Sequence, residues 1–201
     1  MSKQFILATG NLHKIEELKK ILAQEIEGFD TDSLISHKDL GIDDPVEDGT
    51  TFEENALLKA KYVSERTGKI AIADDSGLSV EIMGGAPGIF SARWSGKHGD
   101  NQANNELLLN QLSDIPAIHR RAKFVAAAAL ACPDGRCFTE IGEVEGTILF
   151  EPSGGNGFGY DPIFMPDGFD KSFAELAPEV KNEYSHRKRA FAKLAEHIKT
   201  L

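Results

Sequence analysis

Apolar and polar residues change period several times along this chain, and each change marks an element. Residues 5–8, Phe-Ile-Leu-Ala, make a short unbroken apolar run, which predicts a buried strand. Ile15, Leu18, Ile21, Leu22 and Ile26 then recur at helical spacing, with Glu16, Glu17, Lys19 and Lys20 between them. Residues 29–35 read as a second strand. Thr51 with Glu54 three positions on is a capping box. Phe52, Ala56, Leu57, Ala60 and Val63 give the helix behind it an apolar face, which Gly68 ends. Residues 69–75 predict a strand that closes on Asp74-Asp75 and turns at Ser76-Gly77. Leu78, Val80 and Ile82 alternate with Ser79 and Glu81 as a further strand. A helix is expected over 101–112. The apolar runs 122–131 and 136–150 flank Pro133-Asp134-Gly135 and predict a hairpin. Helical spacing returns from Glu175, with a break near Pro178. A last helix over 185–198 buries Phe191, Leu194, Ala195 and Ile198. No repeat, linker or low-complexity segment interrupts the series.

The segments between these elements are of three kinds. Residues 37–51 are acidic, with Asp39, Asp43, Asp44, Glu47 and Asp48, and read as a solvated loop able to lend a metal ligand. Gly84-Gly85-Ala86-Pro87-Gly88 specifies a tight turn, with Arg93 beyond it in reach of an anion. Residues 151–162 hold glycines around Phe158 and Tyr160, a loop in which backbone can approach a ligand while a ring stacks on it.

Length and composition narrow the class. A chain of 201 residues suits one domain or two closely joined lobes, and at 41% hydrophobic it can bury a core. No apolar run approaches the ~20 residues of a membrane span. Met1-Ser2-Lys3-Gln4 leads straight into Phe5-Ile6-Leu7-Ala8, an apolar piece too short for a signal peptide and with no cleavage site after it, so a cytoplasmic protein with no membrane partner is expected. The net charge of −10 argues against nucleic acid as partner, but not against a phosphorylated small molecule. Cys132 and Cys137 flank the hairpin turn and are expected as free thiols.

The candidate chemistry lies at element ends. Strand, Thr9-Gly10-Asn11 loop and helix together offer backbone N–H groups to a phosphate at a helix N-terminus. His13 and Lys14 stand in that first turn, and Ser185-His186-Arg187-Lys188 open the last helix. Cations there are unfavourable unless an anion lies between them. Asp74 and Asp75 must point to opposite faces of a strand, so at most one continues the apolar face. Lys59 and Lys61 fall on different helix faces, and at most one can look into a cleft. Carboxylates for Mg²⁺, cations for phosphates and a ring for a base add up to a nucleotide with its metal. Neither a P-loop nor a G-x-G-x-x-G motif is present.

Six segments in order then carry a resemblance: Thr9-Gly10-Asn11-x-x-Lys14; Thr51-Phe52-x-Glu54-Asn55-Ala56-x-x-Lys59-Ala60; Asp74-Asp75-Ser76-Gly77-Leu78; Gly84-Gly85-Ala86-Pro87-Gly88-Ile89-x-Ser91-Ala92-Arg93; Gly157-Phe158-Gly159-Tyr160-Asp161-Pro162; and Ser185-His186-Arg187. The chain resembles the inosine/xanthosine triphosphate pyrophosphatase family, the Ham1-like enzymes that act on non-standard purine nucleotides. The resemblance implies an α/β fold, an elongated mixed sheet flanked by helices, with two lobes around a central nucleotide-binding cleft. It makes 1–201 a single catalytic domain and implies a homodimer. It implies Mg²⁺-dependent hydrolysis of ITP, dITP and XTP to the monophosphate and pyrophosphate. Thr9, Gly10, Asn11, Leu12, His13 and Lys14 would hold the triphosphate, and Lys59 would face it. Asp75 would accept the proton of the attacking water and neighbour the metal. Val46-Glu47-Asp48-Gly49 resembles the family's acidic pair with one residue displaced, which implies Glu47 as a further metal ligand and leaves Asp48 as the alternative. Ser76 would contact substrate. Phe158 would stack on the base, Gly159, Tyr160 and Asp161 would line its pocket, and Lys181, His186 and Arg187 would complete it. A donor such as Arg187, or a backbone N–H, aimed at the keto oxygen of inosine would meet an amine in adenine, a mismatch able to discriminate by ~10⁴-fold.

Overall fold

The computed structural model describes residues 4–201; residues 1–3, part of the stretch read above as lacking a signal, lie outside it. In order the elements are β1 (Phe5–Leu7), α1 (Leu12–Glu25), β2 (Leu34–Ser36), α2 (Phe52–Thr67), β3 (Ile70–Val80), α3 (Asn101–Gln111), β4 (Arg121–Ala131), β5 (Cys137–Ile148), β6 (Phe164–Pro166), α4 (Pro178–Tyr184) and α5 (His186–Lys199). The six strands form one sheet in the order β2-β1-β3-β4-β5-β6. β1 runs parallel to β2 and β3, while β6 runs antiparallel to β5, so the sheet is mixed, as expected. Among the described residues no helix is long and apolar enough to cross a membrane.

The chain divides into two units. The first holds the residues up to Asp75, Ala126–Gly142 and Arg187–Leu201. Here both sheet faces are buried, and strand alternation sorts the residues between them. Phe5, Leu7, Ile72, Ala126, Ala128 and Leu130 lie with Leu18 and Leu22 of α1 and Phe191 and Leu194 of α5. Ile6, Ala8, Ala71, Ala73, Ala127 and Ala129 lie with Ala56, Ala60 and Val63 of α2. The second unit, Ser76–Val125 and Glu143–His186, has its own core of Leu78, Val80, Leu108, Leu112, Phe164 and Phe173 around Phe124.

Several expectations are corrected. β3 does not end at the carboxylates: it continues through Ser76-Gly77 to Val80, so Asp74 and Asp75 stand within a strand. Gly77 serves close approach rather than a turn. A Cβ there would lie 2.3 Å from Ser91 Oγ and 2.6 Å from the Gly88 carbonyl. Ser91 uses that space to accept the Leu78 N–H at 2.9 Å and to donate to Gly88 O at 2.6 Å. Ile82 belongs to a 3-10 turn and is exposed. The second strand is only Leu34–Ser36, because Asp30 caps a 3-10 turn over Thr31–Ser33. Pro178 opens α4 rather than breaking a helix, since a proline at the first position lacks only an N–H that would be unpaired there. Both cysteines are free, and they join different clusters on opposite sheet faces: Cys132 with Leu130, Cys137 with Ala131.

Candidate active site

The strand's alternation decides where the two carboxylates go. Asp74 continues the face of Ile72, toward α1 and α5. There Lys14 Nζ lies 2.9 Å from Asp74 Oδ2, and Arg187 Nε donates to the same oxygen at 3.3 Å. Arg187 Nη1 also reaches Glu17 Oε2 at 3.2 Å. Asp74 is 1% exposed. Burial alone would raise its pKa, but the cations Lys14, Arg187 and Lys59 hold the carboxyl far below the usual range. The same burial lowers Lys14, reinforced by Arg187 and Lys59 and opposed by Asp74. The anions expected at the two basic helix starts are thus supplied within this unit, by Asp74 and Glu17. Lys188, next along α5, pairs with Glu25 at 2.5 Å.

Asp75 continues the face of Ala73, toward α2. Lys59 Nζ lies 2.9 Å from Asp75 Oδ1 and 3.2 Å from Glu47 Oε1, so two carboxylates share one cation. Asn55 Nδ2 donates to Asp75 Oδ2 at 3.4 Å. Burial pushes the Asp75 carboxyl up, with Glu47 adding to the rise and Lys59 opposing it. Lys59 is raised: burial works against its charge, but Asp75, Asp74 and Glu47 outweigh it. Lys61, on another face of the helix, is exposed. The acidic loop that carries Glu47 is tied down at Asp44, which meets His37 Nε2 at 2.9 Å and Lys38 Nζ at 2.7 Å.

The Thr9–Lys14 loop is self-capped. Asn11 Oδ1 accepts from the His13 and Lys14 N–H groups at 3.0 and 3.3 Å, and Thr9 Oγ1 accepts from Asn11 N–H at 3.2 Å. Ser36 Oγ fixes the loop by donating to Thr9 O at 2.9 Å. Gly10 passes Lys38 closely: a Cβ would meet its side chain at 3.0 Å. Leu12 and His13 are exposed.

The remaining candidates gather in the second unit. Ser76, half-buried in β3, is its first residue. Phe158 N–H donates to Asp161 Oδ2 at 2.7 Å, and Lys181 Nζ lies 2.5 Å from that oxygen and 5.0 Å from the Phe158 ring centroid. The Tyr160 hydroxyl donates to Ser91 O at 2.8 Å, and burial raises its pKa. Gly159 O accepts from Asn105 Nδ2 at 3.0 Å. His186 stacks on Phe124 with centroids 4.8 Å apart and planes 9° from parallel. Arg187, the next residue, belongs instead with Asp74 and Glu17 in the first unit.

Glu17, Asn55 and Asn105 carry roles that the sequence analysis left unassigned. Two had a signal. Glu17 lies one turn from Lys14 on the same stripe of α1, and Asn55 lies four residues before Lys59 on the same face of α2. A divalent cation fits the Glu47–Asp75 arrangement. Mg²⁺ takes one or two carboxylates and fills its shell with substrate phosphates and water, and these two hard-oxygen groups already converge on a positive charge. Among the described residues no group of three His, Cys, Asp or Glu side chains gathers to cage a metal without such help.

Comparison with known proteins places this arrangement in context. A family model described as the Ham1 family matches residues 5–197. The dITP/XTP pyrophosphatase of Leifsonia xyli is 52% identical over 98% of this chain and 96% of its own length. That of Streptomyces avermitilis is 50% identical over 98% of each. Among solved structures, the Staphylococcus aureus Ham1 protein superposes with a TM-score of 0.87 at 38% identity, covering 98% of this chain and 99% of its own.

Proposed function

Since the chain belongs to the Ham1 family, we propose that it hydrolyses ITP, dITP and XTP to the monophosphate and pyrophosphate with Mg²⁺, clearing them from the nucleotide pool. It is a nucleoside-triphosphate pyrophosphatase, a hydrolase of the class named for its relatives. The whole chain acts as one catalytic domain, in the cytoplasm and as a homodimer, with no nucleic acid as partner.

The Glu47–Lys59–Asp75 arrangement supports this reading most directly. An α,β-cleaving reaction needs a base for one water and neutralisation of the phosphate charge. Asp75 takes the proton as the water oxygen bonds to the α-phosphorus and the bond to the bridging oxygen breaks, so that pyrophosphate leaves. Burial raises its pKa in the metal-free protein, whereas a bound Mg²⁺ would favour the ionised carboxylate that accepts the proton. Glu47 and Asp75 would hold Mg²⁺, which when bound would supply neutralisation of phosphate charge and a more acidic water. Lys59 bridges the two carboxylates and faces the phosphates. Thr9, Gly10, Asn11, Leu12, His13 and Lys14 form the triphosphate loop, and Ser76 contacts the substrate. Phe158 stacks on the base, with Gly159, Tyr160, Asp161, Lys181, His186 and Arg187 around it.

Incubation with ITP, dITP, XTP, GTP and ATP in the presence of Mg²⁺, with the products resolved, tests the reading. Monophosphate with pyrophosphate from the inosine and xanthosine nucleotides is expected. Release of orthophosphate, or intact ITP after hours, would overturn it.

A further inference from the structure

Asn105 on α3 is buried, and the chemistry above gives it no task. Its Nδ2 donates to Gly159 O at 3.0 Å, while its Oδ1 has no partner among the described residues. A buried amide with half its bonding capacity unmet is destabilising relative to an apolar side chain of similar size. The bond its amide makes among the described residues goes to the backbone of the loop assigned to the base. That bond also fixes the amide's orientation, because turning the group over would set Oδ1 against the Gly159 carbonyl, acceptor against acceptor.

The loop is fastened on both sides of this peptide. Phe158 N–H is held by Asp161, and the Tyr160 hydroxyl is held by Ser91. The Gly159 carbonyl between them is held, among the described residues, by Asn105. Gly159 has φ of +63° and no Cβ, so the peptide that follows it turns more readily than its neighbours.

We propose that Asn105 is a positioning residue for substrate selection, holding the Gly159 carbonyl away from 6-amino purines. This rests on the assignment of residues 158–161 to the base. Adenine carries a donor amine where hypoxanthine and xanthine carry an oxygen. A carbonyl free to turn toward the base would attract the amine and repel the keto oxygen. Committed to Asn105, the same carbonyl offers adenine nothing. Selectivity then comes from an acceptor that is withheld, and Asn105 need not touch the substrate.

The test compares full-length wild type, Asn105→Ala and the isosteric Asn105→Asp with Mg²⁺, measuring kcat and KM for ITP and ATP and following thermal unfolding in parallel. For Asn105→Ala, the ITP-to-ATP ratio of kcat/KM should narrow by roughly tenfold, through a higher KM for ITP with kcat nearly kept. Asn105→Asp sets an oxygen against the Gly159 carbonyl at neutral pH and should narrow the ratio at least as far. It carries the test if the alanine variant does not fold. A ratio unchanged within about twofold in the folded variants, or equal losses for both nucleotides in step with melting temperature, overturns the proposal. If wild type leaves ITP intact, the proposed function fails on its own. Asn105 is then judged by calorimetric titration of ITP and ATP, with the affinity ratio as the deciding quantity.

Discussion

Asp74 and Asp75 are the same side chain in adjacent positions, and their surroundings give them opposite properties. Asp75 has a raised pKa, so its ionised form is the one the fold disfavours. Its contribution to stability is present at low pH and is lost as pH rises through the folded-state value. Asp75→Asn should therefore lower turnover by roughly 10²–10⁴-fold, while the nucleotide-free protein melts no lower than wild type at neutral pH. Steady-state kinetics and nucleotide titration check this, and turnover within about tenfold of wild type would remove Asp75 as the base. Asp74 has the opposite sign. Its folded-state pKa is depressed, so its stabilisation is present above the unfolded value of about 4 and is lost as pH falls below it. Asp74→Ala leaves Lys14 and Arg187 without their shared partner and should cost about 3–5 kcal/mol at pH 7. Urea denaturation at pH 7 and at pH 3 should give a smaller difference from wild type at the lower pH; an equal one at both would argue against the ion-pair account.

Among the elements, β3 is the one that reading along the chain divides in two. Asp-Asp-Ser-Gly has the composition of a turn, yet it runs straight because Gly77 makes room for Ser91, a long-range contact that no local pattern announces. Gly77→Ala should destabilise the protein by about 1–3 kcal/mol, since its Cβ meets the Gly88 carbonyl as well as a hydroxyl. A melting temperature equal to wild type would show that the Ser91 turn can retreat. Elements whose period is local were legible: α1, α2 and α5 lie where the apolar spacing put them, with Thr51 and Gly68 as caps of α2, and α3 falls within the expected 101–112. Arg120 shows the limit. It is 1% exposed and donates to the carbonyls of Leu112, Ile148 and Leu149, an arrangement that only the folded backbone defines. The same holds for the site. The motif residues could be named from the sequence, whereas the bonds of Arg187 to Glu17 and of Asn105 to Gly159 depend on which helix faces which strand.

At the scale of the whole molecule, neither unit is a continuous stretch of chain. β3, β4 and β5 each begin in one unit and end in the other, at 75/76, 125/126 and 142/143. A strand cannot melt along half its length without loosening the pairing of the rest. The protein should therefore unfold in one calorimetric transition, with calorimetric and van't Hoff enthalpies equal within error. Two resolved transitions would mean that the units melt separately despite the shared strands.

An alternating strand works as an odd–even address. Ile72 and Asp74 share one parity, Ala71, Ala73 and Asp75 the other, and each parity faces a different helix layer. Nothing in the chemistry of the two aspartates distinguishes them, and the count along the backbone alone assigns their duties. The same exchange of Asp for Asn at these neighbouring positions should therefore give two unlike proteins, one folded and slow, the other weakened in its frame.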